Sequence, residues 1–148
     1  MGNQEIFLAV ISIVIIGIAI AVGLTMFTQN TVEHNRKSCI ADMNHFAALA
    51  IGWWKTPLIS GGGNRVSNLN SSYGATNYID VLGNFIGNNY NETSNKLSNG
   101  NGSYEIQSGG ANSVKFIGMG TVIINDAPVQ VTLTVDLYSA AISIDIIN

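Results

Sequence analysis

Residues 6–27 read IFLAVISIVIIGIAIAVGLTMF, and none of them is charged. About 20 apolar residues in an α-helix cover the roughly 30 Å hydrocarbon core of a bilayer, so this run is long enough to span one. Ser12 and Thr25 are its only polar side chains, and a helix lets such hydroxyls bond back to a carbonyl one turn earlier. A cleaved secretory signal reads differently, with a basic start, a shorter apolar stretch and a small-residue cleavage site. Residues 1–5 hold no Lys or Arg, and no A-x-A site closes the run. The run therefore reads as a transmembrane or filament-core helix over 1–28. A plain single-span anchor is the simpler alternative.

Glu5 stands at the apolar boundary as the only ionisable side chain before Glu33. A carboxylate beside hydrocarbon is costly and usually has a partner. No Lys or Arg occurs before Arg36. The candidate partners are a positive charge on another chain or the α-amino group of Met1 from a neighbour.

An apolar N-terminal helix of this length with Glu at position 5 resembles a mature type IV pilin. The resemblance covers about the first 55 residues and reaches no motif beyond them. It implies that Met1 supplies the amine that pairs with Glu5 of an adjacent subunit during assembly. It also implies that a leader was removed by a prepilin peptidase. On that reading Met1 is the mature end, because an acid counted from Asn3 would fall too early. The implied partners are identical subunits in a helical filament and the pilus assembly machinery. The implied location is the inner membrane first and a cell-surface pilus afterwards. Asn3-Gln4 departs from the family's apolar start, and the helix-kinking proline near position 22 is missing. Gly17 and Gly23 stand in that stretch instead. Each weakens a helix by about 1 kcal/mol relative to Ala, which makes them candidates for bending or local melting. Close helix–helix packing through small residues is the other reading.

Past the run the helical signal continues over 29–55. Val32, Cys39, Met43, Phe46, Ala50 and Trp53 fall on one stripe of a 3.6-residue helix, while Glu33, Arg36, Lys37 and Asp42 fall off it. Thr56-Pro57 ends it, since proline disfavours helical geometry in the residue before it. One helix of about 50 residues follows, about 75 Å long at 1.5 Å per residue. The stripe predicts helix-to-head packing. Cys39 reads as a small buried apolar residue. Of Trp53 and Trp54, one is expected in the core and the other at a subunit contact. Arg36 and Lys37 lie within ten residues of the run's end. For a plain anchor, that places the following segment in the cytoplasm.

Residues 29–148 form the expected globular head. Within it 56–102 reads as a variable, Asn- and Ser-rich loop region. It opens on a flexible turn at Ser60 to Gly63 and carries a short helix through Tyr78, Ile79, Val81, Leu82, Phe85 and Ile86, ended by Gly87. The stretch 88–102 has little to bury and reads as an exposed loop. Over 103–148 the apolar period becomes two, in 104–107, 114–124, 129–137 and 141–147. This predicts an antiparallel sheet of three or four strands with one apolar face. The fold class is thus α+β, a long helix whose second half covers a sheet.

Other chemistry is poorly served. Net charge is −3, and the six Lys and Arg residues are scattered, which gives no basic patch for nucleic acid. Only 10% of residues are charged, against about 25% in ordinary soluble domains. A lone cysteine excludes an intrachain disulfide. His34 and His45 are too far apart along a helix to share a metal, and Gly61-Gly62-Gly63-Asn64 lacks the Lys-Ser/Thr of a phosphate loop. No catalytic constellation, metal site or cofactor motif is expected. Asn70-Ser71-Ser72, Asn91-Glu92-Thr93 and Asn101-Gly102-Ser103 match the glycosylation pattern, which chance also produces in so Asn-rich a chain. The leading functional expectation is a filament subunit. A minor pilin, a secretion pseudopilin or a non-assembling membrane-anchored binding module are the alternatives.

Overall fold

The computed structural model describes residues 2–73, 76–87, 89–124 and 126–147. The chain divides into two compact units, Met1–His34 and Asn35–Asn148. Helix α1 (Gly2–Lys55) supplies the described part of the first unit and opens the second.

In the first unit every residue over 2–31 is exposed. The hydroxyls that interrupt the apolar run are satisfied within the helix: Ser12 donates to the Leu8 carbonyl at 2.8 Å and Thr25 to the Ala21 carbonyl at 2.9 Å. This removes their polar groups from whatever medium surrounds the helix.

In the second unit α1 buries Cys39, Met43, Ala47, Ala50, Trp53 and Trp54. Of the stripe read from the spacing, Cys39, Met43, Ala50 and Trp53 are buried, and Ala47 and Trp54 join them. Phe46 is only half-buried, and Val32 belongs to the first unit and is half-buried. The helix ends at Lys55, before Pro57 removes a backbone donor. A short 3₁₀ turn (Leu58–Ser60) follows, and Gly61 adopts φ 77°. The next two glycines are not slack. Gly62 and Gly63 are buried, and the Gly63 N–H donates to the Trp53 carbonyl at 2.8 Å. A Cβ on Gly63 would lie 2.8 Å from the Trp53 ring. These glycines let the chain turn back flat against the tryptophan.

Strands β1 (Ser72–Tyr73) and β2 (Thr76–Asn77) make a small pair before helix α2 (Tyr78–Ile86). The Asn77 side chain caps α2 by accepting from the Ile79 N–H. Then come β3 (Lys96–Asn99), β4 (Gly102–Ser108), β5 (Ser113–Ile124), β6 (Ala127–Asp136) and β7 (Ile142–Ile146). They form one antiparallel sheet in the order β3-β4-β5-β6-β7. Every link joins consecutive strands, so turns alone connect it.

The sheet has five strands where three or four were expected, because β3 falls in the stretch read as an exposed loop. One apolar residue, Leu97, is buried there opposite Tyr104. The turn is built by Asn99, whose side-chain oxygen accepts from the N–H groups of Asn101 and Gly102. Four residues with one buried side chain are too short to show a period. The Asn-Gly-Asn-Gly run was the available hairpin signal.

One face of the sheet is the core. Ile106, Phe116, Leu133 and Ile144 stand in register across β4 to β7. The first three are fully buried, whereas Ile144 is 39% exposed. The cover over this face therefore stops short of β7.

Candidate functional site

The largest unpartnered feature is the α1 surface over 6–27. Its large apolar side chains are each 38–71% exposed, and a window of the helix reaches a mean hydropathy of 3.0 with none of it buried. Isolated apolar residues on a surface are ordinary, but a contiguous apolar surface of this extent marks an interaction with lipid or protein. The helix is long and apolar enough to cross a membrane.

Glu5 lies exposed in the first turn of this helix. There its charge complements the positive end of the helix dipole. Met1, the other member of the expected assembly pair, lies outside the described residues. Gly17 and Gly23 sit inside a regular helix, and a Cβ at either would meet nothing within 4 Å. In the single chain both positions therefore hold an unbroken backbone and open space. The melting and close-packing readings both concern the assembled state.

The head is held to its own helix segment by two polar clips that spacing alone did not reveal. Asn35 serves the first. Its side-chain nitrogen donates to the Asn101 carbonyl at 3.2 Å and the Thr121 hydroxyl at 3.3 Å, and its oxygen accepts from the Val122 N–H at 3.3 Å. The β5–β6 register shifts between Met119 and Ile123. A bulge leaves backbone groups unpaired, and Asn35 takes up one of them. Gly120 leaves the room for this, since a Cβ there would collide with the Asn35 side chain.

Asp42 serves the second clip. Its Oδ2 accepts from Tyr104 Oη at 2.6 Å, Asn99 Nδ2 at 2.8 Å and Asn101 Nδ2 at 2.9 Å. Burial pushes the carboxyl up. The bonds from Tyr104, Asn101 and Asn99, with the nearby His45, outweigh it and hold Asp42 below the usual aspartate value. Burial and then the bond to Asp42 push the Tyr104 phenol well up. Burial likewise raises the Cys39 thiol, which suits an inert packing residue rather than a nucleophile.

Next to the second clip, Met43 lies over Gly118 in the middle of β5. A Cβ on Gly118 would sit 3.0 Å from the Met43 sulfur. Glycine weakens a strand, but here it lets the helix approach the sheet. Phe46 meets Tyr104 edge-on, with ring centroids 5.1 Å apart. Both tryptophans are buried in the head, which corrects the assignment of one to a subunit contact. Trp53 packs near Tyr78, and Trp54 Nε1 donates to the Val66 carbonyl at 3.1 Å. Two adjacent helix residues project about 100° apart, but the chain after Lys55 folds back over the second ring.

Of the glycosylation matches, Asn101 has its side-chain nitrogen committed to Asp42. Asn91 is exposed, and its oxygen accepts from the Thr93 and Ser94 N–H groups. Among the described residues no group of three His, Cys, Asp or Glu side chains could hold a metal ion.

These features define an α+β protein whose first helix carries a membrane-length apolar surface and whose head buries its own core. Compared with known proteins, the chain matches no family model, and no curated protein or solved structure is significantly similar to it.

Proposed function

We propose that this chain is a structural subunit that polymerises through its N-terminal helix into an extracellular type IV pilus-like filament, after residence in the inner membrane. One observation carries the reading: a single helix, α1, is apolar and exposed over 6–27 with an acid at its start, then runs on without a break to bury a stripe in an α+β head. A membrane anchor needs the first half of that helix but not a second half that buries a stripe in a domain core. A filament needs both, because the apolar halves pack together while the heads stay folded. Glu5 would select the axial register by pairing with a neighbour's Met1 amine, since any other offset strands two charges in a medium poor in water.

The positions of Arg36 and Lys37 favour a second reading, a single-span anchor that does not assemble. Shearing surface filaments from the native cells and identifying their main protein separates the two. This chain as the dominant component supports the filament subunit. Recovery of the chain only from membranes, with no filament containing it, refutes it.

A further inference from the structure

A cavity of about 350 Å³ opens in the head where α1, the α2–β3 connection and β3 meet, with Phe46, Asn89, Leu97, Ser98, Asn99 and Tyr104 in its wall. It lies wholly within the second unit. Its size is at the small end of the roughly 300–1,000 Å³ of ligand sites. No side chain in the wall is charged.

The backbone direction of β3 explains the opening. Ile106 N–H donates to the Asn95 carbonyl at 2.8 Å, and the β3–β4 register sets Leu97 opposite Tyr104. Antiparallel pairs alternate between bonded and non-bonded. Asn95, Leu97 and Asn99 therefore bond toward β4, while Lys96 and Ser98 turn their N–H and C=O groups to the outer edge. At Lys96 that edge is filled. Asn91 N–H donates to the Lys96 carbonyl at 2.9 Å, and Lys96 N–H to the Asn91 carbonyl at 3.3 Å. One step further along β3 the two chains have parted, and among the described residues nothing pairs with the Ser98 backbone. The cavity occupies the wedge between them.

The wall combines unspent polar groups with an apolar side. Ser98 offers one backbone donor and one acceptor. Asn89 is exposed, and its carboxamide makes no hydrogen bond among the described residues. Asn99 gives one amide hydrogen to Asp42 and keeps the other. Phe46 is half-buried and Leu97 is buried. The Tyr104 hydroxyl is spent on Asp42, so Tyr104 adds only ring surface.

We propose that this wedge binds one uncharged pyranose ring. Sugar hydroxyls each donate and accept, which matches an N–H, a C=O and carboxamides set close together. The C–H face of the ring suits the aromatic and aliphatic side. An ionic ligand would find no countercharge in the wall. A wholly apolar one would leave the Ser98 and Asn89 groups buried without partners. An extended peptide adds to a sheet edge through several ladder positions. Here Asn91 closes Lys96 and the turn begins at Gly100, which leaves Ser98 alone. The site belongs to the head by itself, so it stands or falls independently of filament assembly.

The test uses the full chain in a zwitterionic detergent that carries no sugar headgroup. The methyl glycosides of glucose, galactose, mannose and N-acetylglucosamine are titrated and followed by saturation-transfer NMR. At least one should bind with a Kd of about 1–10 mM, as suits a few hydrogen bonds to one small ring. Ser98→Pro removes the outward N–H and leaves the β4 ladder intact. Asn89→Ala removes an exposed carboxamide. Each should weaken binding at least about fivefold, the effect of one lost hydrogen bond, with head melting unchanged for Asn89→Ala. Lys115→Ala, on the other face of the sheet from Phe116, should leave binding as it was. Binding of none of the four glycosides overturns the proposal, and so does wild-type affinity in either Ser98→Pro or Asn89→Ala. Binding of the neutral peptide acetyl-Ala-Val-Ala-amide in place of the glycosides overturns it in favour of a peptide site.

Discussion

Tyr104 on β4 donates its hydroxyl to Oδ2 of Asp42 on α1 at 2.6 Å, across 62 residues of sequence. This bond joins the helix to the hairpin that carries the sheet's first edge. Tyr104→Phe removes one of three donors and should lower head stability by about 1.5–3 kcal/mol, the range for hydrogen bonds to a charged group. The pH dependence has a defined sign. The Asp42 carboxyl is held below its ordinary 3.8, so its contribution is complete above that value and is lost as pH falls through it and lower. The Tyr104 phenol is raised above its ordinary 10.0, so its contribution is complete below that value and declines as pH rises past it. Thermal melting of Asp42→Asn against the native chain should show a gap at pH 7 that narrows near pH 3. A gap independent of pH would remove the charge from the account.

Met43 is fully buried against β5. Met43→Asp places a carboxylate there without a partner and should destabilise the head by about 4 kcal/mol or more. Near-ultraviolet circular dichroism of the full chain in detergent follows this. An unchanged melting temperature would mean that the helix segment does not cover the sheet.

Two glycines should respond with opposite signs. Gly63→Ala pushes a methyl into the Trp53 ring and should cost about 1–3 kcal/mol. Gly52 lies in the exposed interior of α1 with nothing within 4 Å of a new Cβ, so Gly52→Ala should gain about 0.5–1 kcal/mol. Denaturant midpoints of the two variants check both directions at once.

If the chain assembles as proposed, Glu5→Ala should leave it expressed and membrane-inserted while reducing filament yield by at least about tenfold, the effect of losing a pairing worth more than about 1.4 kcal/mol in a water-poor contact. Glu5→Gln should be milder, since an amide still bonds to an amine. Electron microscopy of sheared filaments, normalised to subunit level, reads this out. Wild-type filament number and order in the alanine variant would remove the basis for the register mechanism.

Between Gly17 and Gly23 the helix is regular in the single chain. On the proposed filament reading it is expected to bend or lose regular hydrogen bonds there on assembly, at two weak points of about 1 kcal/mol each. A filament reconstruction with a straight, fully bonded helix through both glycines would refute this and leave close packing as their role.

The sequence by itself determined the elements whose signal is local and repeated. The uncharged run over 6–27, the stripe through Cys39, Met43, Ala50 and Trp53, and the stop before Pro57 all appear where periodicity and proline place them. Helix α2 also matches its apolar spacing and its closing glycine. The later strands follow the change of period to two. Tertiary structure alone decided what depends on distant partners. Asn35 acts on a bulge 86 residues away, Asp42 on a hairpin about 60 residues away, and Gly118 on the approach of Met43. Each looked like an ordinary polar or small residue, because its role is set by which side chain arrives opposite it. Strand β3 was hidden for the same reason, since one buried leucine carries no period. The alternation of β7 was plain in the sequence, but its exposure was not. A strand's pattern says which residues share a face, and only the packed helix decides how far across the sheet that face is covered.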